Sequence, residues 1–394
     1  PRRSRRAGPS AAEGFVLLSA YMAGMVYARL ARKKGIDAMR VAFFKRALKV
    51  YLAHAATLIF LFTVIAFVGL KIDQPAVKNL MSFYLTHPAP ALAWGLLLVY
   101  APPLLDILPM YIVFMLVSPW VLAHALRRGW AGVITLSLAL WLLAQFGLGQ
   151  WVYDTTVALT GLSVPFHETG SFATFSWQFL WLFGLWMGAS RTALWAQPFI
   201  FPGWAVLLAC VISVVGMVWR HTTGQAPFGA NEARNLLFDK WLLGPFRLID
   251  LFALVIVTIR FGPAVKDRLP RMRWLEALGA ASLPVFCAHL VIVLLALAFF
   301  GAKPWVHPWW EDALMLFVCF AALYAVARVT LRLDHPQRLK AGAAGVPSDP
   351  AAASGLREHS GNSHPPTVAE PVAAPPAPAD ALQSPIARGD SPPR

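Results

Sequence analysis

Long apolar stretches recur along residues 11–332 of this chain. Most approach or exceed the length of about 20 helical residues that crosses the hydrocarbon core of a bilayer. The predicted spans are 11–28, 50–70, 107–126, 130–147, 176–190, 201–219, 241–260, 277–299 and 310–331. A further apolar piece, 91–105, is interrupted by Pro102-Pro103, so we expect a broken, re-entrant or interfacial segment there. The pattern predicts an all-α, polytopic transmembrane helix bundle of about nine to ten spans.

The composition supports this class of fold. Hydrophobic residues make up 58% of the chain and charged residues only 13%, whereas about 25% of a soluble globular protein is charged. Mean hydropathy is +0.58. The 16 Trp and 26 Phe also favour a membrane protein, because aromatic residues collect at membrane interfaces. A soluble globular protein is therefore excluded.

The net charge of +15 changes the interpretation less than its size suggests. Such a charge on a soluble protein would indicate nucleic acid, but here Lys and Arg cluster between spans. The basic segments 29–49, 127–128 and 266–273 alternate with segments poor in Lys and Arg, such as 148–175. The positive-inside rule then predicts a multi-pass protein of the bacterial inner membrane with its C-terminal tail in the cytoplasm. The expected partner is the lipid bilayer, and nucleic acid is not expected.

The two ends of the chain differ from the apolar middle. Residues 1–10 are a basic N-terminal stub whose four arginines would lie outside, against the positive-inside rule. Residues 333–394 become rich in Pro, Ala, Ser and Gly without apolar periodicity, which predicts a disordered tail. The predicted organisation is therefore this stub, one helical membrane domain over 11–332, and the tail.

Ionisable residues within the predicted spans or at their ends are the candidate catalytic groups, because charge at bilayer depth is costly. Glu13, His54 and Asp106 are the candidates, since all three could face one polar cavity. The alternative for each is an interhelical hydrogen bond that stabilises the bundle. Arg247 and Asp250 lie three residues apart, and we expect them to form a structural pair near the outer interface.

The basic stretch 36–50 has two interpretations. An apolar stripe runs along one face, and the other carries the cationic residues Arg40, Lys45, Arg46 and Lys49. The stretch could be an interfacial helix on an anionic leaflet. It could also bind the phosphates of a coenzyme A (CoA) thioester. Charge alone favours the interfacial helix.

The segment 148–175 is a long outer loop in this topology and is rich in aromatic residues. Stacking on sugar rings and an interfacial aromatic belt explain it equally well. His167-Glu168 is too short for an HExxH zinc motif, and the three cysteines lack metal-ligand spacing. We expect no metal and no permanently bound cofactor.

Six segments resemble motifs of the OpgC family, in the same order along residues 11–332. They are AAEGFVLLSAY (11–21), RALKVYLAH (46–54), LDILPMY (105–111), WQ before LWMG (177–188), DK before LGPFRL (239–248) and SLPVFC (282–287). The resemblance implies an integral membrane O-acyltransferase related to the acyltransferase-3 superfamily. OpgC proteins are associated with succinylation of osmoregulated periplasmic glucans.

The implied donor is a cytoplasmic acyl-CoA, with succinyl-CoA favoured, and the implied acceptor is a hydroxyl of a periplasmic glucan or related glycan. For the basic stretch 36–50, the resemblance favours binding of a CoA phosphate by Arg46 and Lys49. Trp177, Gln178 and Tyr111 become candidate substrate-binding residues that could stabilise an oxyanion.

One expectation limits the transfer of roles. The family begins with an additional span carrying an acidic residue, an arginine and the histidine that acts as base, and this sequence has no counterpart to that span. No residue therefore inherits the role of the base, although Glu13 could orient such an imidazole. The alternative functions are a transporter or flippase, suggested by Pro102-Pro103 and Pro109, and a non-catalytic membrane protein. Hydropathy shows no inverted repeat, which argues against a transporter.

Overall fold

A computed structural model describes residues 11–170, 173–192, 199–223, 228, 231–301 and 309–343. The chain divides into two units, one ending at Asp334 and one beginning at His335. The elements and contacts below belong to the first unit, apart from the C-terminal end of the last helix.

The described residues form α-helices joined by short turns. The helices are α1 (Ala11–Lys34), α2 (Ile36–Phe60), α3 (Ala66–Lys71), α4 (Pro75–Leu80), α5 (Ser82–Thr86), α6 (Pro88–Leu96), α7 (Ile107–Arg128), α8 (Ala131–Gln145), α9 (Leu148–Thr160), α10 (Thr174–Ser190), α11 (Gly203–Thr223), α12 (Glu232–Asn235), α13 (Pro245–Arg268), α14 (Arg273–Ala280), α15 (Ser282–Phe300) and α16 (Trp309–Ala343). A π-helical segment, Leu61–Ile65, joins α2 to α3, and Phe166–Glu168 and Leu236–Phe238 are 3-10 turns. No strand occurs among these residues, and the predicted all-α fold is confirmed.

Six helical stretches within the described part of the chain are long and apolar enough to cross a membrane. They are Ala12–Lys34, Ile36–Lys71, Ile107–Arg128, Pro245–Arg268, Ser282–Phe300 and Trp310–Leu333. The bent pair α8 and α9 adds a seventh if it is counted as one span. The protein is therefore a multi-pass helical bundle, and the predicted number of nine to ten spans is not confirmed.

The missing spans have local causes. The predicted span 130–147 ends at Gly147, which has a φ of 90°, and α9 continues at 80° to α8. The predicted span 176–190 becomes α10, which has 17 residues. The interrupted piece 91–105 is α6 followed by turns in which Leu98 and Leu104 have positive φ. A broken segment there agrees with the prediction.

Two boundaries differ from expectation. Residues 36–50, which we assigned mostly to the loop before the second span, form the first part of the continuous helix α2, and their interfacial position stays a prediction. The helix α16 continues to Ala343, past the predicted start of the tail at residue 333. The stub 1–10 and residues 344–394 lie outside the described residues, so the predicted positions of the four arginines and of the tail stay predictions.

The helices α1 and α10 pack in unusually close contact. Added Cβ atoms at Gly24 and Gly188 would overlap the backbone carbonyl oxygens of Leu185 and Tyr21, and one at Gly184 would lie 2.7 Å from the Leu17 oxygen. Small residues at such spacing let two membrane helices approach to backbone contact. This packing fixes the position of α1, whose opposite face lines the candidate site.

Candidate functional site

An elongated cavity of about 480 Å³ lies along one face of α1. Its wall on α1 runs from Phe15 to Tyr27, a distance of about 18 Å along the helix axis. The remaining walls come from α2, α7, α14 and α15. Most of the lining is apolar, including Leu18, Met22 and Phe286.

Arg46 is the charged residue among those that line this cavity. Its guanidinium group lies against the phenol of Tyr111 and within electrostatic reach of Tyr27. Tyr111 is in turn held edge-on against Trp181, with ring centroids 5.1 Å apart. The structure therefore brings together one predicted phosphate-binding residue and one predicted substrate-binding residue in the same cavity.

The other basic residues of the 36–50 stretch lie elsewhere. Arg40 is 3.2 Å from Asp37 and forms an ion pair with it. Lys45 and Lys49 are exposed on α2. Their predicted binding of a CoA phosphate stays a prediction, because neither forms part of the cavity wall.

A buried ion pair joins the start of α1 to the start of α13. The Arg247 Nε donates to Glu13 Oε1, and both side chains are almost completely inaccessible to solvent. We expected Arg247 to pair with Asp250 on its own helix, and the structure corrects that expectation. Glu13 lies about 21 Å from Tyr27 along α1, and neither Glu13 nor Arg247 is part of the cavity wall.

Two further charged groups lie close to this pair. Lys240 is half-buried in the turn before α13, within electrostatic reach of Arg247, Glu13 and Asp106. Burial lowers the pKa of Lys240, Arg247 lowers it further, and Glu13 and Asp106 oppose the shift. The four side chains form what we call the charged cluster.

The turn that carries Lys240 is held by side chains of two neighbouring helices. Trp177 Nε1 donates to the Trp241 carbonyl oxygen at 3.0 Å, and Trp141 Nε1 donates to the Leu243 oxygen at 3.1 Å. Leu243 has a φ of 51°, a conformation that the surrounding contacts must maintain. Trp177 is fully buried, so the structure gives it the role of positioning this turn.

The other predicted residues have different surroundings. Gln178 exchanges hydrogen bonds with Ser137, which attaches α10 to α8. The fully buried His54 donates from Nε2 to the Gly95 carbonyl oxygen at 3.3 Å, and its Nδ1 has no hydrogen-bond partner among the described residues. Glu13 and Asp106 both act electrostatically on Lys240, whereas His54 is not among the groups that do. The roles of these residues in catalysis or substrate binding stay predictions.

Sequence reasoning did not include Lys240 among the candidate site residues. The feature that could have pointed to Lys240 is the charged pair Asp239-Lys240, which lies just before Gly244-Pro245 at the start of a span. Asp239 accepts hydrogen bonds from the amides of Trp241 and Leu242, and this cap shapes the turn.

No group of three or more His, Cys, Asp or Glu side chains in the described ranges is placed to hold a metal ion. The polar features of the site are the Arg46 guanidinium in the wall of the cavity and the charged cluster outside that wall. These features are suited to binding anionic groups and to stabilising developing negative charge.

Fold and site together define a multi-pass membrane protein with ionised side chains built into its helical bundle. The family model described as OpgC protein matches residues 7–335. The chain therefore belongs to the OpgC family, and the resemblance in its motifs is confirmed. No match was found among curated proteins, and none among solved structures.

Proposed function

We propose that this protein is a membrane O-acyltransferase that moves a succinyl group from a cytoplasmic CoA thioester to a hydroxyl group of a periplasmic glucan or related glycan. The observation that carries the proposal is the cavity along α1, in which Arg46 is the cationic group of a mostly apolar wall. Family membership and the helical bundle fit a membrane acyltransferase.

The cavity offers an acyl-CoA one cationic group and a long apolar wall. A phosphate of the donor can bind the Arg46 guanidinium by charge-assisted hydrogen bonds. The long arm that follows the phosphate can extend along α1 past Leu18 and Met22 toward Glu13. On this proposal, the protein spans the bacterial inner membrane and its C-terminal tail lies in the cytoplasm.

The proposed reaction transfers the acyl group from the sulfur atom of CoA to the oxygen atom of a sugar hydroxyl group. A sugar hydroxyl oxygen forms a bond to the thioester carbonyl carbon, its proton passes to a base, and the carbon–sulfur bond breaks to release the CoA thiolate. The carbonyl oxygen carries negative charge in the intermediate. Tyr111, Trp177 and Gln178 stay candidate oxyanion donors, although the contact of Tyr111 with Arg46 would put Tyr111 beside the phosphate end of the donor.

The test uses the protein expressed from its complete gene and purified into lipid nanodiscs. Succinyl-CoA labelled in the succinyl group is added with a β-linked glucan, and label on the glucan and free CoA thiol are measured together. We expect both to appear in equal amounts. The test variant is Arg46→Met, which keeps the length of the side chain and removes its charge, and the exposed Lys45→Met is its matched control.

The outcomes separate the candidate functions. Equal release of thiol and labelled glucan, lost in Arg46→Met, supports the acyltransferase. Glucan that crosses the membrane of sealed proteoliposomes without acquiring label supports a transporter or flippase instead, and overturns the proposal. Label on a lipid headgroup rather than on glucan corrects the acceptor.

A further inference from the structure

A second cavity, also of about 480 Å³, lies between α11 and α13 and takes no part in the donor site above. Four aromatic side chains line it: Trp219, Phe228, Phe238 and Phe246. Phe238 lies at the centre of the group, with ring centroids 6.0 Å from Trp219, 6.1 Å from Phe228 and 5.1 Å from Phe246. Such a group, which we call the aromatic cavity, offers several ring faces to a flat apolar surface of a ligand.

Two charged residues one turn apart on α13 complete the wall, Arg247 and Asp250. Only 3% of the Arg247 surface is exposed, and its Nε forms the ion pair with Glu13. Its Nη2 has no hydrogen-bond partner among the described residues. A buried guanidinium donor without a partner is costly, so a ligand that accepts a hydrogen bond there is stabilised.

The Asp250 carboxylate occupies a place that a glycine keeps open. An added Cβ at Gly216 on α11 would lie 2.7 Å from Asp250 Oδ1 and 2.8 Å from its carboxyl carbon. Any side chain at residue 216 would therefore displace the carboxylate. The close approach of α11 brings the acceptor oxygens of Asp250 beside the aromatic rings.

We infer that the aromatic cavity binds a pyranose ring of the acceptor glycan. One face of a pyranose carries C–H groups that pack on aromatic faces, and its edge carries hydroxyl groups that donate and accept hydrogen bonds. Asp250 accepts from one hydroxyl and Arg247 donates to its neighbour. The choice of a glucose polymer rests on the proposed function, whereas the pyranose class rests on the site.

Two other occupants fit the walls less well. A quaternary ammonium group suits aromatic rings and a carboxylate, but the buried guanidinium of Arg247 repels it. A lipid acyl chain suits the rings, but it would leave the buried Arg247 Nη2 without a hydrogen-bond acceptor.

Arg247 belongs to both the aromatic cavity and the charged cluster. The Arg247 side chain thus links the wall of the aromatic cavity to Glu13, whereas the two cavities share no lining residue in the described part of the chain. The aromatic cavity is therefore a site that holds the glycan, separate from the place where its hydroxyl group meets the thioester.

The test measures binding alone, without any acyl-CoA. The full-length protein in nanodiscs is titrated calorimetrically with cellotetraose, a β-linked glucose tetrasaccharide, and separately with choline chloride. We expect cellotetraose to bind, and Asp250→Asn and Phe238→Leu each to weaken it at least about tenfold, the effect of losing one charged hydrogen bond. Phe238→Leu keeps apolar bulk and removes the ring face.

The matched control is Trp204→Ala, which removes an exposed indole at the other end of α11 and should leave the affinity unchanged. Thermal unfolding of each variant in nanodiscs verifies the fold, and Phe238→Tyr, which retains the ring, should bind nearly as well as the unmodified protein. Equal affinity in all variants, binding of choline instead of the tetrasaccharide, or no binding of cellotetraose overturns the inference.

Failure of the inference and failure of the proposed function are distinguishable. Succinyl transfer to glucan that is insensitive to Asp250→Asn and Phe238→Leu overturns the aromatic cavity as acceptor site and leaves the acyltransferase standing. Cellotetraose binding that depends on both residues, without any succinyl transfer, supports the sugar site and overturns the acyltransferase.

Discussion

Trp177 on α10 and Trp241, in the turn before α13, are joined by a hydrogen bond of 3.0 Å from the indole nitrogen to the carbonyl oxygen. The bond connects residues 64 positions apart and holds the residue that directly follows Lys240. A fully buried tryptophan thus helps to set the position of a charged group of the site.

Replacing Trp177 with Phe should destabilise the protein by about 1–3 kcal/mol, because the Trp241 carbonyl oxygen loses a buried donor. Trp141→Phe should have a similar effect through the Leu243 oxygen. Chemical denaturation in mixed micelles measures both. The exposed Trp204→Phe is the control, and a Trp177→Phe variant as stable as this control would contradict the positioning role.

Replacing Arg46 with Met should raise the KM for succinyl-CoA by about 10- to 100-fold, since a hydrogen bond to a charged group contributes about 1.5–3 kcal/mol. The kcat should change less, because the phosphate is remote from the reacting carbonyl. Lys45→Met, on the exposed side of α2, is the matched control. A KM unchanged in Arg46→Met, or changed equally in Lys45→Met, would remove Arg46 from donor binding.

Neutralising one partner of the Glu13–Arg247 pair should cost about 3–5 kcal/mol, because it leaves an uncompensated buried charge. The variants are Glu13→Gln, Arg247→Gln and the double substitution, compared by chemical denaturation as a thermodynamic cycle. The double variant should recover part of the loss. Additive losses would indicate that the two side chains do not interact.

The same Glu13→Gln variant also tests the predicted role of Glu13 in catalysis. Succinyl transfer to glucan is measured under conditions where the variant remains folded. Transfer at the original rate would assign Glu13 to stability alone, and we expect the rate to fall.

The buried position of Lys240 predicts a pH dependence of stability. Its pKa is lowered in the folded protein from the ordinary value of 10.5, so between the lowered value and 10.5 the unfolded chain binds more protons than the folded one. The free energy of unfolding therefore rises with pH in that window. Thermal unfolding of the unmodified protein and of Lys240→Met should diverge in favour of the unmodified protein as pH increases.

The exposed Lys49→Met variant supplies the comparison for this measurement, because other groups also titrate at alkaline pH. Its difference from the unmodified protein should be nearly constant with pH. A constant difference for Lys240→Met as well would contradict the effect of burial on Lys240.

Hydropathy predicted the membrane bundle because each span corresponds to one continuous apolar stretch of the sequence. It overcounted the spans where the backbone changes direction inside such a run. At Phe146-Gly147 the apolar pattern continues from α8 into α9, while the left-handed conformation of Gly147 turns the chain. The signal was a glycine, and a single glycine within an apolar run does not by itself specify a bend.

The site was predicted only as far as single residues can reveal it. The cost of charge in lipid singled out Glu13 and Arg247 individually, but the i, i+3 spacing suggested Asp250 as the partner of Arg247. The actual partner, Glu13, lies 234 residues away. Contacts between α1 and α13 arise from tertiary packing, which has no periodic signature in the sequence. The joint position of Arg46 and Tyr111 escaped prediction for the same reason.

The glycines between α1 and α10 place the tightest constraint on substitution at positions that perform no chemistry. Where Gly24 and Gly188 meet the opposing backbone, even a methyl group has no room. Mutational tolerance should therefore be lowest along this seam, lower than at the exposed lysines of α2. The wall from Phe15 to Tyr27 lies on the same helix, so a variant that relaxed the seam would change the donor cavity without altering any residue that lines it.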